Sequence, residues 1–193
     1  MDKKDIILAG VGGQGILSIA TVIGWAALDQ NLHLKQAEVH GMSQRGGDVQ
    51  SNLRLSRERI WSDLIPKGGC DLILSLEPME ALRYLPWLAP DGWIVTNTTP
   101  FVNIPNYPEM ADIHKELASV GRVVSVDCDA IAKDAGSPKS ANMVLLGASA
   151  SVMEIIDPEK LREGIAEVFA RKGEKIVEMN IAAFNAGLEA SKK

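Results

Sequence analysis

Cysteine is nearly absent from this sequence. The two that occur, Cys70 and Cys128, stand far apart with no pairing spacing, so no disulfide framework is expected. Reduced thiols in a cytosolic chain are the simplest reading. Two cysteines also exclude a self-contained iron–sulfur cluster, which wants about four thiolates. Long hydrophobic runs are missing too: no stretch reaches the roughly 18 apolar residues of a membrane-spanning helix. The opening residues, Met1-Asp2-Lys3-Lys4-Asp5-Ile6, lack the apolar core and cleavage site of a signal peptide, and the expected location is cytoplasmic. Positive charge is likewise short. A net charge of −5 and a pI near 5.3 argue against nucleic-acid binding. The basic groupings, such as Arg54-x-x-Arg57-x-Arg59, are short, interleaved with acids, and read as solvated surface.

Familiar catalytic signatures are absent as well. There is no HExxH, CxxC, GxSxG or paired-carboxylate arrangement, and His33, His40 and His114 lie apart in sequence. No catalytic residue and no metal ligand is assigned.

What is present is an ordinary globular composition: 193 residues, 46% hydrophobic and 23% charged. That suits one well-filled core, and a single domain over residues 1–193 is expected. Strand-like and helix-like stretches alternate. Asp5–Gly10, Leu34–His40, Asp48–Ser56, Asp71–Leu76, Gly92–Thr96 and Arg122–Asp127 read as strands. Gln14–Asp29, Glu77–Leu88 and Glu109–Ser119 read as helices between them. Asp48–Ser56 alternates, with Val49, Leu53 and Leu55 on one face and Gln50, Asn52 and Arg54 on the other. It predicts a strand with one wet face, antiparallel or at an edge. Beyond Lys139 the pattern turns wholly helical, over Ser140–Ile155, Pro158–Lys172 and Glu174–Ser191. The implied fold is α/β: a doubly wound, mostly parallel, Rossmann-like sheet with a helical C-terminal segment. The stripe Val177, Ile181, Phe184 and Leu188 in the last helix serves core burial or a docking surface.

The first strand runs into GVGGQG, residues 10–15, and then into a helix. Gly10 allows a tight turn, Gly12 lets a phosphate approach the backbone, and Gly15 lets the helix pack on the strand. A helix N-terminus carries unpaired N–H groups and partial positive charge, so an anion is welcome there. Gly10, Gly12, Gly13, Gln14 and Gly15 are therefore candidate ligand contacts, although a turn that serves packing alone uses the same glycines. A dinucleotide site further asks for an acid about 20 residues on, at the end of the second strand. Glu38 stands roughly that far along, but in a polar strand and before Val39-His40, so the match is partial. A P-loop is excluded, because no Gly-Lys-Ser/Thr follows.

A second loop, HGMSQRGG at residues 40–47, is expected to leave the same carboxyl edge of the sheet. Ser43, Gln44, Arg45 and Gly46 join the candidate set. The Arg45 guanidinium suits a phosphate or carboxylate, and the two glycines after it expose backbone N–H groups to the same anion. Arg45 as a surface side chain and His40 as a structural hydrogen-bonder are the alternatives.

Together the paired loops resemble the gamma-type module of 2-oxoacid:ferredoxin oxidoreductases, and most of all the small subunit of the indolepyruvate-oxidising group. The likeness runs from Ile6 through Ala141-Asn142-Met143-Val144-Leu145-Leu146-Gly147. It implies a subunit inactive alone, with thiamine diphosphate and iron–sulfur clusters on a large partner subunit. The complex would decarboxylate a 2-oxoacid, pass electrons to ferredoxin and hand the acyl group to coenzyme A. It also implies a coenzyme A contact on this chain. This sequence has no GDG motif with following asparagines for thiamine diphosphate, in keeping with that division. The rival readings are a free-standing NAD(P)-binding oxidoreductase and a non-enzymatic scaffold whose glycines serve only packing.

Overall fold

The computed structural model describes residues 2–40 and 46–192. Six strands form one sheet: β1 (Lys3–Val11), β2 (His33–His40), β3 (Asp48–Ser56), β4 (Cys70–Ser75), β5 (Leu88–Asn97) and β6 (Val123–Val126). Their spatial order is β2-β3-β1-β4-β5-β6. β1, β4, β5 and β6 pair in parallel, while β3 lies antiparallel between β1 and β2. The helices are α1 (Ile16–Asp29), α2 (Pro78–Arg83), α3 (Met110–Ser119), α4 (Cys128–Asp134), α5 (Ala141–Met153), α6 (Pro158–Phe169) and α7 (Glu174–Ala190).

β1 is apolar at successive positions because both of its faces are covered. Ile6 and Leu8 join a large core beneath α1, α5, α6 and α7, while Ile7 and Ala9 join a smaller one beneath α2 and α3. The doubly wound, mostly parallel sheet is thus as expected. The stripe Val177, Ile181, Phe184 and Leu188 packs into the larger core, which decides for burial over docking. α5 and α7 approach backbone to backbone at two glycines. A Cβ on Gly147 would collide with the Phe184 carbonyl, and one on Gly187 with the Val144 carbonyl.

Several expectations need correction. The helix expected over Glu77–Leu88 ends at Arg83. Pro86 cannot continue it, a short 3₁₀ turn follows over Leu85–Trp87, and Leu88 already opens β5. α4 was not foreseen; Asp127 caps it by accepting from the Ala130 N–H at 2.9 Å. β3 is antiparallel, as its alternation predicts, but internal, and its polar face is covered. Asn52 Oδ1 accepts from the Ile65 N–H at 3.2 Å, and Arg54 donates to the carbonyls of Ser62 and Leu64 at 3.1 Å. Arg54 also forms a two-pronged bond with the buried Asp5, at 2.7 and 3.0 Å. Residues 57–69 therefore roof the polar face, and each buried polar group there finds a partner.

Candidate functional site

The glycine turn links the carboxyl end of β1 to the start of α1. Gly15 takes a φ of +89°, and a Cβ there would lie 2.6 Å from Asn142 Nδ2 on α5. Only glycine meets both demands. α1 starts with no side-chain cap and no acid in its first turn, so its partial positive charge is uncompensated by its own residues.

The two sequence-predicted loops do meet. Gly12 N–H donates to the Gly47 carbonyl at 2.8 Å, and Gly46 N–H donates to the Gly12 carbonyl at 3.4 Å. The Gly12 backbone, read from the sequence as the place where a phosphate approaches, thus uses its amide to join the loops. Gln14 is also engaged within the fold: its Oε1 accepts from Val11 N–H at 2.7 Å and its Nε2 donates to the Leu76 carbonyl at 3.1 Å. It fastens the ends of β1 and β4 together. Ser43, Gln44 and Arg45 lie outside the described residues, as does the His40 side chain. Gly46 has a φ of +79° and accepts a 2.8 Å bond from Asn103 Nδ2.

A cavity of roughly 540 Å³ opens on the α5–α7 side of the turn. Gly13, Gly15 and Ser18 form one wall, and Lys139, Lys172 and Asn180 are among the residues opposite. Among the described residues no acid lines it, although the chain as a whole carries −5. Sequence reading passed over Lys139 and Lys172 because they are far from the glycines along the chain. The signal available was the small, basic run Ser137-Pro138-Lys139-Ser140 just ahead of a helix.

On the other side of the turn, residues 98–108 leave the end of β5 and cross the same edge. The wholly buried Glu77, first residue beyond Leu76, anchors them. Its carboxylate accepts from Glu80 N–H at 2.8 Å, from Phe101 N–H at 3.3 Å and from the Tyr107 hydroxyl. Burial and that bond to Glu77 push the Tyr107 hydroxyl up, so it stays a donor. Sequence reading gave this stretch no role.

The dinucleotide reading loses its acid. β3 separates β2 from β1, so Glu38 is two strands, about 10 Å, away from the turn. Nor do the thiols fit a shared cluster. Cys70 is buried in the core under α2 and α3, Cys128 in the core on the opposite face, and burial pushes the Cys70 thiol up to about 12.

The family model for pyruvate ferredoxin/flavodoxin oxidoreductase matches residues 5–190. The indolepyruvate oxidoreductase subunit IorB of Thermococcus kodakarensis is 35% identical over 202 residues, spanning 100% of this chain and 98% of the relative. The ketoisovalerate oxidoreductase subunit VorA of Methanothermobacter thermautotrophicus is 28% identical; the match takes in 94% of this chain but 35% of that longer one. The fold is that of a keto/oxoacid ferredoxin oxidoreductase gamma subunit from Geobacter sulfurreducens, with TM-score 0.71, 23% identity and 98% of both chains covered. It also recurs in 31% of a 2-oxoglutarate:ferredoxin oxidoreductase chain from Magnetococcus marinus, solved with 2-oxoglutarate, coenzyme A and succinyl-CoA bound. There the TM-score is 0.73 at 22% identity, over 100% of this chain. From its glycine turn to its last helix, this chain belongs to the pyruvate ferredoxin/flavodoxin oxidoreductase family.

Proposed function

We propose that this chain is the small subunit of an indolepyruvate:ferredoxin oxidoreductase. The observation that carries the reading is full-length identity of 35% to an indolepyruvate oxidoreductase subunit, against 28% to its ketoisovalerate counterpart. In this reading the chain works as a single domain in the cytoplasm, beside a larger subunit that holds thiamine diphosphate and iron–sulfur clusters. No redox step is assigned to this chain, whose two thiols lie on opposite faces of the sheet. The complex would release carbon dioxide from an arylpyruvate, reduce ferredoxin and transfer the acyl group to coenzyme A.

The role left to this chain is to hold the anionic part of coenzyme A. Gly13, Gly15 and the start of α1 supply N–H groups and positive potential, and Lys139 and Lys172 supply charge across the cavity. Arg45, with Ser43, Gln44 and Gly46, is proposed to add the second loop's contacts to the same anion. Gly10, Gly12 and Gln14 shape the turn.

Reconstitution with the larger subunit tests the substrate. Indolepyruvate should exceed pyruvate and 2-oxoglutarate in kcat/KM by about tenfold or more, the size of discrimination that one extra apolar group gives. A preference for either smaller acid would reassign the complex. Calorimetry of the isolated chain with NADH and NADPH should show no tight binding; a micromolar isotherm would favour the dinucleotide rival instead.

A further inference from the structure

The segment over residues 98–108 carries an exposed apolar tip. Phe101 is 42% exposed, Val102 67% and Ile104 38%, three apolar side chains within four positions. Single exposed apolar residues are ordinary on any surface; three together on one loop are not. Nor does the segment float. The wholly buried Glu77 holds it at Phe101 and Tyr107, Asn97 Nδ2 donates to the Thr99 carbonyl at 3.5 Å, and Asn103 fastens it to Gly46 at 2.8 Å. Asn103 thus bonds toward the glycine loops while its two neighbours stay exposed. Val39, 55% exposed, lies near the end of β2 on this same edge of the sheet.

A second apolar feature lies at the opposite edge and differs in kind. Trp61 is 79% exposed, but the Arg59 guanidinium stacks 4.2 Å from its ring centre. The cation–π contact is made within the chain, and only Leu64, 57% exposed, lies near it in sequence, against three exposed apolar side chains on the 98–108 segment.

We propose that the Phe101–Ile104 tip, with Val39, is the surface on which the larger, cofactor-bearing subunit docks. The inference rests on the subunit reading above. Two observations select that occupant. The tip is tied directly to the glycine loops, so whatever covers it stands beside the ligand edge, where a reacting centre must come. And the same module makes up only 35% and 31% of longer relatives, in which the remainder of a larger protein is joined to it covalently. A partner that is separate here must recover that association through a surface, and an immobilised apolar tip lowers the ordering cost of binding.

The test uses the full chain co-expressed with the larger subunit, followed by affinity measurement between the purified subunits. Val102→Asp and Phe101→Ser should each weaken association by roughly 30-fold or more, the size of an interface hot spot. Trp61→Ser should stay within about twofold. All three isolated variants should keep the wild-type circular dichroism spectrum and Tm, which separates docking from folding. Unchanged affinity for Val102→Asp overturns the proposal. So does an isolated chain that dimerises through the tip while the heteromeric complex ignores the substitution. If the wild-type chain itself does not bind the larger subunit, the functional reading fails instead.

Discussion

The two faces of the sheet are built by different means. On one, α1, α5, α6 and α7 bury a wide aliphatic core, with α5 and α7 in backbone contact at Gly147 and Gly187. On the other, α2 is six residues long, α3 is ten, and much of the cover is irregular chain tied down by polar side chains. Asp5–Arg54, Asn52–Ile65 and Glu77–Tyr107 tie that irregular cover down around a smaller core of Ile7, Ile73, Ile94 and Leu117. The thick face is fixed by shape and tolerates little change. The thin face combines a small core with a few directed bonds, which leaves its loops free to present side chains outward at the carboxyl edge of the sheet. The lesson is a division between scaffold and presentation within one small sheet.

Substitutions that separate stability from function can break this contrast. Gly147→Val should be the most damaging: its side chain must force α5 from α7, costing more than about 4 kcal/mol, with the isolated chain unfolded or its Tm sharply lowered. A Tm close to wild type would mean the thick face is looser than described. Asp5→Ala strands Arg54 under residues 57–69 and should cost about 3 kcal/mol in urea unfolding, while Asp5→Ala combined with Arg54→Met should regain part of it. Glu77→Ala removes the α2 cap and leaves Phe101 N–H and Tyr107 without their acceptor, for a loss of about 2 kcal/mol. Its larger effect should be on the reconstituted complex, since the 98–108 segment loses its anchor. Last, Arg45→Ala should leave Tm unchanged and raise KM for coenzyme A by roughly tenfold, the loss of one charge-assisted contact. An unchanged KM would reduce the second loop to a docking element.

Much of this was readable in the sequence where burial is two-sided. Continuous apolar runs such as Ile6-Ile7-Leu8 predict a central parallel strand, and β1 is one, because both faces are packed. Alternation at Val49, Leu53 and Leu55 predicted a strand antiparallel or at an edge; β3 is antiparallel and internal, and the wet face inferred from Asn52 and Arg54 was wrong. Polar residues can be buried when a distant segment brings partners, and no local pattern announces residues 57–69 as that roof. The candidate site divides in the same way. Gly13 and Gly15 line the cavity, and the turn at Gly10, Gly12 and Gly15 is recognisable from spacing next to a strand and a helix. Lys139, Lys172 and Glu77 are not, because they reach the carboxyl edge through crossover connections that sequence distance hides. Gln14 and Gly12 were read as ligand contacts, yet their hydrogen-bonding groups fasten the fold together.

The account stands on this chain completing an enzyme whose redox centres lie elsewhere. The direct measurement is indolepyruvate- and coenzyme A-dependent reduction of a viologen dye by the larger subunit, with and without this chain. Each subunit alone should be inactive, and equimolar mixing should restore turnover that saturates at one small subunit per large one. Full activity from the larger subunit alone, or no gain on adding this chain, would contradict it.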